Sequence, residues 1–383
     1  MPVNLNPTPN QNPIHPPQPP EEKAQNIVDK INDFLLRFSS VPLKEKLFFV
    51  QHLGLMLRSG ISLSVALKTL GEQTENPKLK KILKEIASKV DKGNSFAECL
   101  EPYKNIFGEM FVNMVAAGEA SGKLENVLQQ IYLQMKKEHA LISRIKGALT
   151  YPAIIVIAMI GIGIFMMMFI VPKITSIFLE LNAELPLATK ILIAVSNAMA
   201  NHALTTIIII IFTVVLIIQI LRTHQGKYWF QALLLHLPIF GPIVKKVNVA
   251  RFSRNISSLL QTDIMIIRAF QITAKVLGNL HYRKALMEMS QEIKKGGTVH
   301  ETIKKYPKLF PPVVVQMVAV GEETGSLDSI LIELADFYEE EINQIMENLP
   351  SIIEPLLILM LGLGVGGVAV AIILPMYNIT TAI

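Results

Sequence analysis

Charge is scarce in this sequence. Asp, Glu, Lys and Arg make up 17% of 383 residues against 51% hydrophobic, and mean hydropathy is +0.41. Such a balance excludes an ordinary soluble globule and points to a membrane protein with sizeable water-facing parts. Cysteine is nearly absent too: Cys99 stands alone, so no intrachain disulfide framework exists. Stretches alternating at period two are missing, which argues against strands. The signatures of chemistry are also lacking. The eight histidines form no H-E-x-x-H and have no cysteine partners, and no G-x-S-x-G elbow occurs. Gly118 to Lys123 reads G-x-x-x-G-K. A phosphate loop needs four residues between its glycines and Ser or Thr after the lysine, where this chain has three and Leu124. No cofactor, no metal and no enzymatic activity are expected. A formal charge of +5 and a pI near 9.0 suit nucleic acid, but Lys and Arg are spread along helices. Direct nucleic-acid binding is therefore not expected either.

What the chain does contain is a copy of itself. Gly118 to Leu128, G-E-A-S-G-K-L-E-N-V-L, returns as Gly321 to Leu331, G-E-E-T-G-S-L-D-S-I-L, at an offset of 203 residues. The offset holds without a gap far outside that motif. Phe49 falls on Phe252, Leu57 on Leu260, Lys92-Gly93 on Lys295-Gly296, Phe107 on Phe310, and Pro152 and Pro172 on Pro355 and Pro375. Over the 80 columns from 49 to 128 there are 22 identities, where unrelated chains share roughly five. The sequence is a duplicated module, each copy ending in a hydrophobic span.

Apolar spacing is helical throughout, so the expected fold is an all-α membrane protein with two homologous helical-bundle modules and three transmembrane helices. Residues 1–20, with eight prolines, are expected to be a disordered tail, and 21–42 a short amphipathic helix and linker. The first 40 residues lack an apolar core, so no signal peptide is expected. The first module occupies 43–152 and the second 222–354. Residues 153–171, 203–221 and 355–375 carry no ionised side chain and are long enough to cross a bilayer. That leaves 172–202 as a connecting loop and 376–383 as a short tail. Basic residues set the orientation. Lys136, Lys137, Arg144 and Lys146 precede the first span and Arg222, Lys227, Lys245 and Lys246 follow the second, against Lys173 and Lys190 in the loop. Both modules are expected in the cytoplasm, with the loop and the C-terminal tail outside.

Local signals recur in both copies. Pro77 opens a helix that Gly93 closes. Ser95 and Glu98, repeated as Thr298 and Glu301, have capping-box spacing. Gly60 becomes Asp263, which keeps tolerance of left-handed backbone. The corner Gly118, Glu119, Gly122, Leu124, repeated as Gly321, Glu322, Gly325, Leu327, reads as a tight helix-turn-helix. In it Gly118 and Gly321 end one helix, and Gly122 and Gly325 precede the next. Its glutamate either closes the turn on backbone N–H groups or offers a charge to a partner. In the spans, Gly161 and Gly163 align with Gly364 and Gly366, and Gly362 to Gly366 is a G-x-x-x-G. These are candidate packing positions, within the chain or between subunits. The acidic stretch from Asp336 to Glu347 is a candidate docking surface for a basic partner.

Two helical modules, three spans in this order and a G-E-x-x-G-x-L corner upstream of a Pro-led span in each half resemble the inner-membrane platform family of type II secretion and type IV pilus machines. That family's opening pattern, F-x-R-Q-L followed by S-G and small or aliphatic residues, stands here in altered form. It reads Phe49-Val50-Gln51-His52-Leu53, then Leu57-Arg58-Ser59-Gly60-Ile61-Ser62-Leu63, with His52 in place of the glutamine. The likeness covers residues 43–383. It implies a scaffold in the bacterial inner membrane that forms homo-oligomers within the lipid bilayer and meets other inner-membrane machine components. It further implies work received from a cytoplasmic hexameric assembly or retraction ATPase and passed to pilin or pseudopilin subunits. The alternative is an oligomeric transporter or channel component, which needs ionisable or broken polar sites at mid-membrane; the three spans carry none. A membrane peptidase needs paired carboxylates, and Glu354 has only Tyr151 at its counterpart position.

Overall fold

A computed structural model of the chain describes residues 40–180 and 186–381. The expected tail at 1–20 and the amphipathic segment up to residue 39 lie outside the described residues. The first module consists of α1 (Leu43–Arg58), α2 (Leu63–Gln73), α3 (Pro77–Asp91), α4 (Phe96–Leu100), α5 (Lys104–Phe107), α6 (Glu109–Ala120) and the beginning of α7 (Leu124–Phe165). Sequence reasons for these helices are local. Pro77 occupies the first turn of α3, where a missing N–H costs nothing, and Asn76 Oδ1 accepts from Leu79 N at 3.0 Å. Gly93 follows the helix at φ +88°, a conformation L side chains rarely adopt. Leu79, Ile82, Leu83 and Ile86 form the buried stripe of α3.

α7 continues through a π turn at Met166–Ile170 into α8 (Val171–Glu180), followed by α9 (Leu187–Asn201), α10 (Ala203–Arg222) and α11 (His224–His236). The second module is α12 (Phe240–Leu260), α13 (Ile266–Val276), α14 (Leu280–Lys294), α15 (Val299–Lys304), α16 (Pro312–Glu323) and α17 (Leu327–Thr381). Both ends of α2, α3 and α6 recur 203 residues later as the ends of α13, α14 and α16, and α7 and α17 start 203 apart. The cores correspond as well. Phe49 and Phe107 have ring centroids 5.8 Å apart, and their counterparts Phe252 and Phe310 are 5.1 Å apart. Gly60 at φ +80° and Asp263 at φ +62° hold the same left-handed turn, and Asp263 is the one non-glycine in that region among the described residues.

Among the described residues, three helices are long and apolar enough to cross a membrane: Leu124–Ser176, Leu204–Arg222 and Leu327–Ile373. The first, at 53 residues, is about 80 Å of helix, so the last helix of the module and the span are one rod. Pro152 lies inside it without ending it. Pro172 lacks the N–H that would bond Met168, and the π turn just before it is the local adjustment that lets the helix pass. α11 and α12 are also apolar as a pair, but they are bent by 109° and α12 buries Val249, Phe252, Ile256 and Leu259 in the module. They form no fourth span.

Residues 172–202, expected as a connecting loop, hold helices of their own among the described residues. α8 and α9 occupy most of the stretch, and α9 lies against the spans. Thr189 Oγ1 donates to Ala371 O at 2.6 Å, and Ser196 Oγ donates to Met167 O at 2.6 Å. Hydroxyls bonding a neighbouring helix are how polar side chains are accommodated among apolar ones. At 15 residues α9 is too short to span alone, which is why hydropathy reads it as a connection.

Candidate functional site

At each corner the incoming helix ends in a Schellman turn. Lys123 N donates to Gly118 O at 2.8 Å and Gly122 N to Glu119 O at 3.3 Å; in the second copy Ser326 N donates to Gly321 O at 2.9 Å and Gly325 N to Glu322 O at 3.4 Å. Gly122 and Gly325 take φ +66° and +68°, the left-handed position this turn requires. Gly118 and Gly321 do not end a helix, contrary to expectation, because α6 runs on to Ala120 and α16 to Glu323. They are glycines because the next helix crosses there. A Cβ on Gly118 would stand 2.8 Å from Val127 Cγ2, and one on Gly321 would stand 3.1 Å from Leu327 Cα. Leu124 and Leu327 open the outgoing helices, half-buried against the core.

Nor does the repeated glutamate act only on its own turn. Glu119 reaches back to the start of α4, where it accepts from Phe96 N at 2.7 Å, Ala97 N at 2.9 Å and Ser95 Oγ at 2.7 Å. Glu322 does the same for α15, accepting from Val299 N at 2.6 Å, His300 N at 3.1 Å and His300 Nδ1 at 2.8 Å. Helices of five and six residues are marginal by themselves, and these carboxylates satisfy their open N–H groups at the positive end of the helix. Of the capping box expected from spacing, the Ser95 cap forms in the first copy and the Thr298 cap does not form in the second; in both, an acid from another helix adds to the start of the helix. Ser95 Oγ accepts from Glu98 N at 3.5 Å, whereas Thr298 Oγ1 is buried without a partner. His300 stands where the first copy has Ala97, and its ring supplies the third donor that the Ser95 hydroxyl supplies in the first copy. Burial pushes the Glu322 carboxyl up, but the Val299 N–H, the His300 ring and the His300 N–H outweigh it and hold the group below its ordinary value.

The first corner also touches the second module, with Lys123 Nζ 3.0 Å from Asp263 Oδ2. Farther along α7, Gln134 Nε2 donates to Asn255 Oδ1 at 2.6 Å, and Arg251 pairs with Glu138 at 2.6 Å. Beyond them Arg254, its side chain 9% exposed, meets Asp336 at 2.6 Å and Glu339 at 2.8 Å. Lys137 joins the same two acids at 2.9 and 3.5 Å. One base from α7 and one from α12 thereby hold α17 against both copies. Burial pushes the Asp336 carboxyl up, yet Arg254 and Lys137 more than offset this and keep it below the usual range. Glu341 pairs with Lys246 at 3.0 Å. The acidic stretch expected to face a basic partner is therefore largely engaged by bases of the same chain. Nothing in the hydrophobic periodicity marks this junction; polar Gln134, Asn255 and Arg254 on otherwise packed helices are its only trace in sequence.

The span glycines lie apart from both features. A Cβ at Gly161, Gly163, Gly362, Gly364 or Gly366 would meet nothing within 4 Å, so contacts within the chain do not require glycine there. Gly163 and Gly364 line a groove of about 220 Å³ between the first and third spans, walled by Met159, Met166, Met167 and Met360.

Comparison with known proteins finds the same duplication. Residues 49–172 and 252–375 each match the family described as type II secretion system (T2SS), protein F, and these two stretches differ by the same 203 positions. The chain is 37% identical over 337 residues to the type IV pilus assembly protein PilC of Thermus thermophilus, covering 88% of this chain and 83% of that one. It is 32% identical over 346 residues to PilC of Myxococcus xanthus, covering 90% and 83%. With the type II secretion system protein F of Vibrio cholerae it shares 26% over 325 residues, covering 85% and 80%. A protein of two such halves, each a helical module running into an apolar span, belongs to the type II secretion system protein F family.

Proposed function

We propose that this protein is the inner-membrane platform of a type IV pilus machine or a related type II secretion machine, passing work from a cytoplasmic hexameric ATPase to pilin-like subunits at the membrane. The observation that carries this reading is mechanical. α7 and α17 each pass without a break from the core of a module into a span, and the Arg254 cluster ties the two rods together. Displacing a module therefore displaces a span. Relatives named for pilus assembly share 37% and 32% identity, against 26% for the secretion protein, which favours the pilus. The bases flanking the first two spans support a cytoplasmic position for both modules. As Glu119 and Glu322 are engaged by α4 and α15, a partner at the corners meets mainly the exposed turns at Gly122 and Gly325.

The test inserts glycines into α7 between Lys137 and Lys146 and scores surface filaments together with capture of the cell's filament ATPase. Capture retained with filaments lost is the expected result. Filaments intact would rule out transmission through this rod. Loss of capture already in the unaltered protein would return the transporter or channel alternative.

A further inference from the structure

We infer that α11 is a membrane-surface helix whose outer face, Trp229, Phe230 and Leu233, seats in the headgroup boundary of the bilayer and fixes the second module against that plane. This goes beyond the platform reading and does not depend on which machine the protein serves. The chain leaves the second span in a tight bend. Thr223 Oγ1 donates to Ile220 O at 2.7 Å and accepts from Gly226 N at 3.1 Å. Gly226 lies so close to the Ile220 carbonyl that a Cβ would collide with it. Only Thr223 thus separates α11 from α10, where the apolar span ends at Arg222.

The inner face of α11 is locked to the module. Gln231 Nε2 donates to Gly278 O at 3.1 Å, and Gln231 Oε1 accepts from Leu280 N at 2.8 Å, so one side chain brackets the start of α14. The Tyr228 ring lies 4.1 Å from the His281 ring. With that face fixed, the opposite one is left bare: Trp229 is 76% exposed, Leu233 59% and Phe230 42%. These residues share one side of the helix, with Arg222 and Lys227 flanking them to meet anionic headgroups. An amphipathic helix with tryptophan on its apolar face, joined directly to a span, has the bilayer surface as its nearest apolar phase.

Trp229 is the chain's only tryptophan, so its fluorescence reports this face alone. The full chain is reconstituted into phosphatidylethanolamine and phosphatidylglycerol vesicles carrying bromine either near the headgroup or near the acyl end. Severalfold stronger quenching by the shallow bromines, with weak quenching by aqueous acrylamide, is expected. A Leu233→Asp variant should shift the emission to longer wavelength and recover acrylamide quenching. Strong acrylamide quenching without bromolipid quenching in the unaltered protein would overturn the inference by placing the face in water. Protection from both quenchers that disappears as protein is diluted in lipid would also overturn it, assigning the face to a second copy.

Discussion

A carboxylate caps a helix from 22 or 23 positions away in each module, and it joins the corner to a helix that has little stability of its own. Replacing Glu119 or Glu322 by Ala leaves two backbone N–H groups without their acceptor, and each variant should lose about 1–3 kcal/mol. Thermal unfolding of the detergent-solubilised chain measures it. For Glu322 the loss depends on pH. Its folded pKa lies below the ordinary glutamate value of 4.5, so its contribution is present above about pH 4.5 and disappears as pH falls through the lower folded value. Melting curves of the parent and Glu322→Ala should therefore differ at neutral pH and converge in acid. The corner's two glycines separate by a different argument. Gly122→Asn should be tolerated, because asparagine visits the left-handed region and the space around Gly122 is open. Gly118→Ala drives a methyl into Val127 and should cost about 1–3 kcal/mol. A sequence reader sees both as turn glycines. Only the crossing of α6 and α7 distinguishes conformation at one from contact at the other.

At the level of elements, much was legible because it was written twice. Helix ends that recur at one offset are fixed by paired signals, such as Asn76 before α3 and Asn279 before α14, each accepting from the first turn of its helix. The elements that escaped are those whose partners come from elsewhere. α9 is held by hydroxyl bonds to spans distant in sequence, and α17 presents acids to bases of α7 and α12. The second case yields a graded prediction. Arg254 is nearly enclosed, so Arg254→Met strands Asp336 and Glu339 with Lys137 as their remaining base and should cost about 3 kcal/mol. Lys137→Met removes a half-exposed partner and should cost less than about 1 kcal/mol. Differential proteolysis of the junction between α7 and α17 orders the two. Equal effects would mean that burial does not set the strength of this cluster.

For the whole molecule the proposed platform role turns on which side of the membrane each part occupies, since in that proposal work from a cytoplasmic motor reaches the modules only if both face it. In the proposed topology three spans put the two ends of the described chain on opposite sides, and the distribution of bases is the ground for which is which. Eight bases flank the modules near the first two spans, against Lys173 and Lys190 between those spans. Glu339, Glu340, Glu341 and Glu347 before the third span do not reverse this, because acidic residues weigh little in topology. The single cysteine makes the test clean: Cys99 is buried, so the parent chain should give almost no thiol signal. Lys92→Cys in the first module and Lys308→Cys in the second should react with a membrane-impermeant maleimide only after the inner membrane is permeabilised. Asn378→Cys, beyond the third span, should react without that step. Should Lys308→Cys react in intact cells, the second module would lie outside. The rods α7 and α17, though joined by Arg254 and Lys137, could not then both be driven from within.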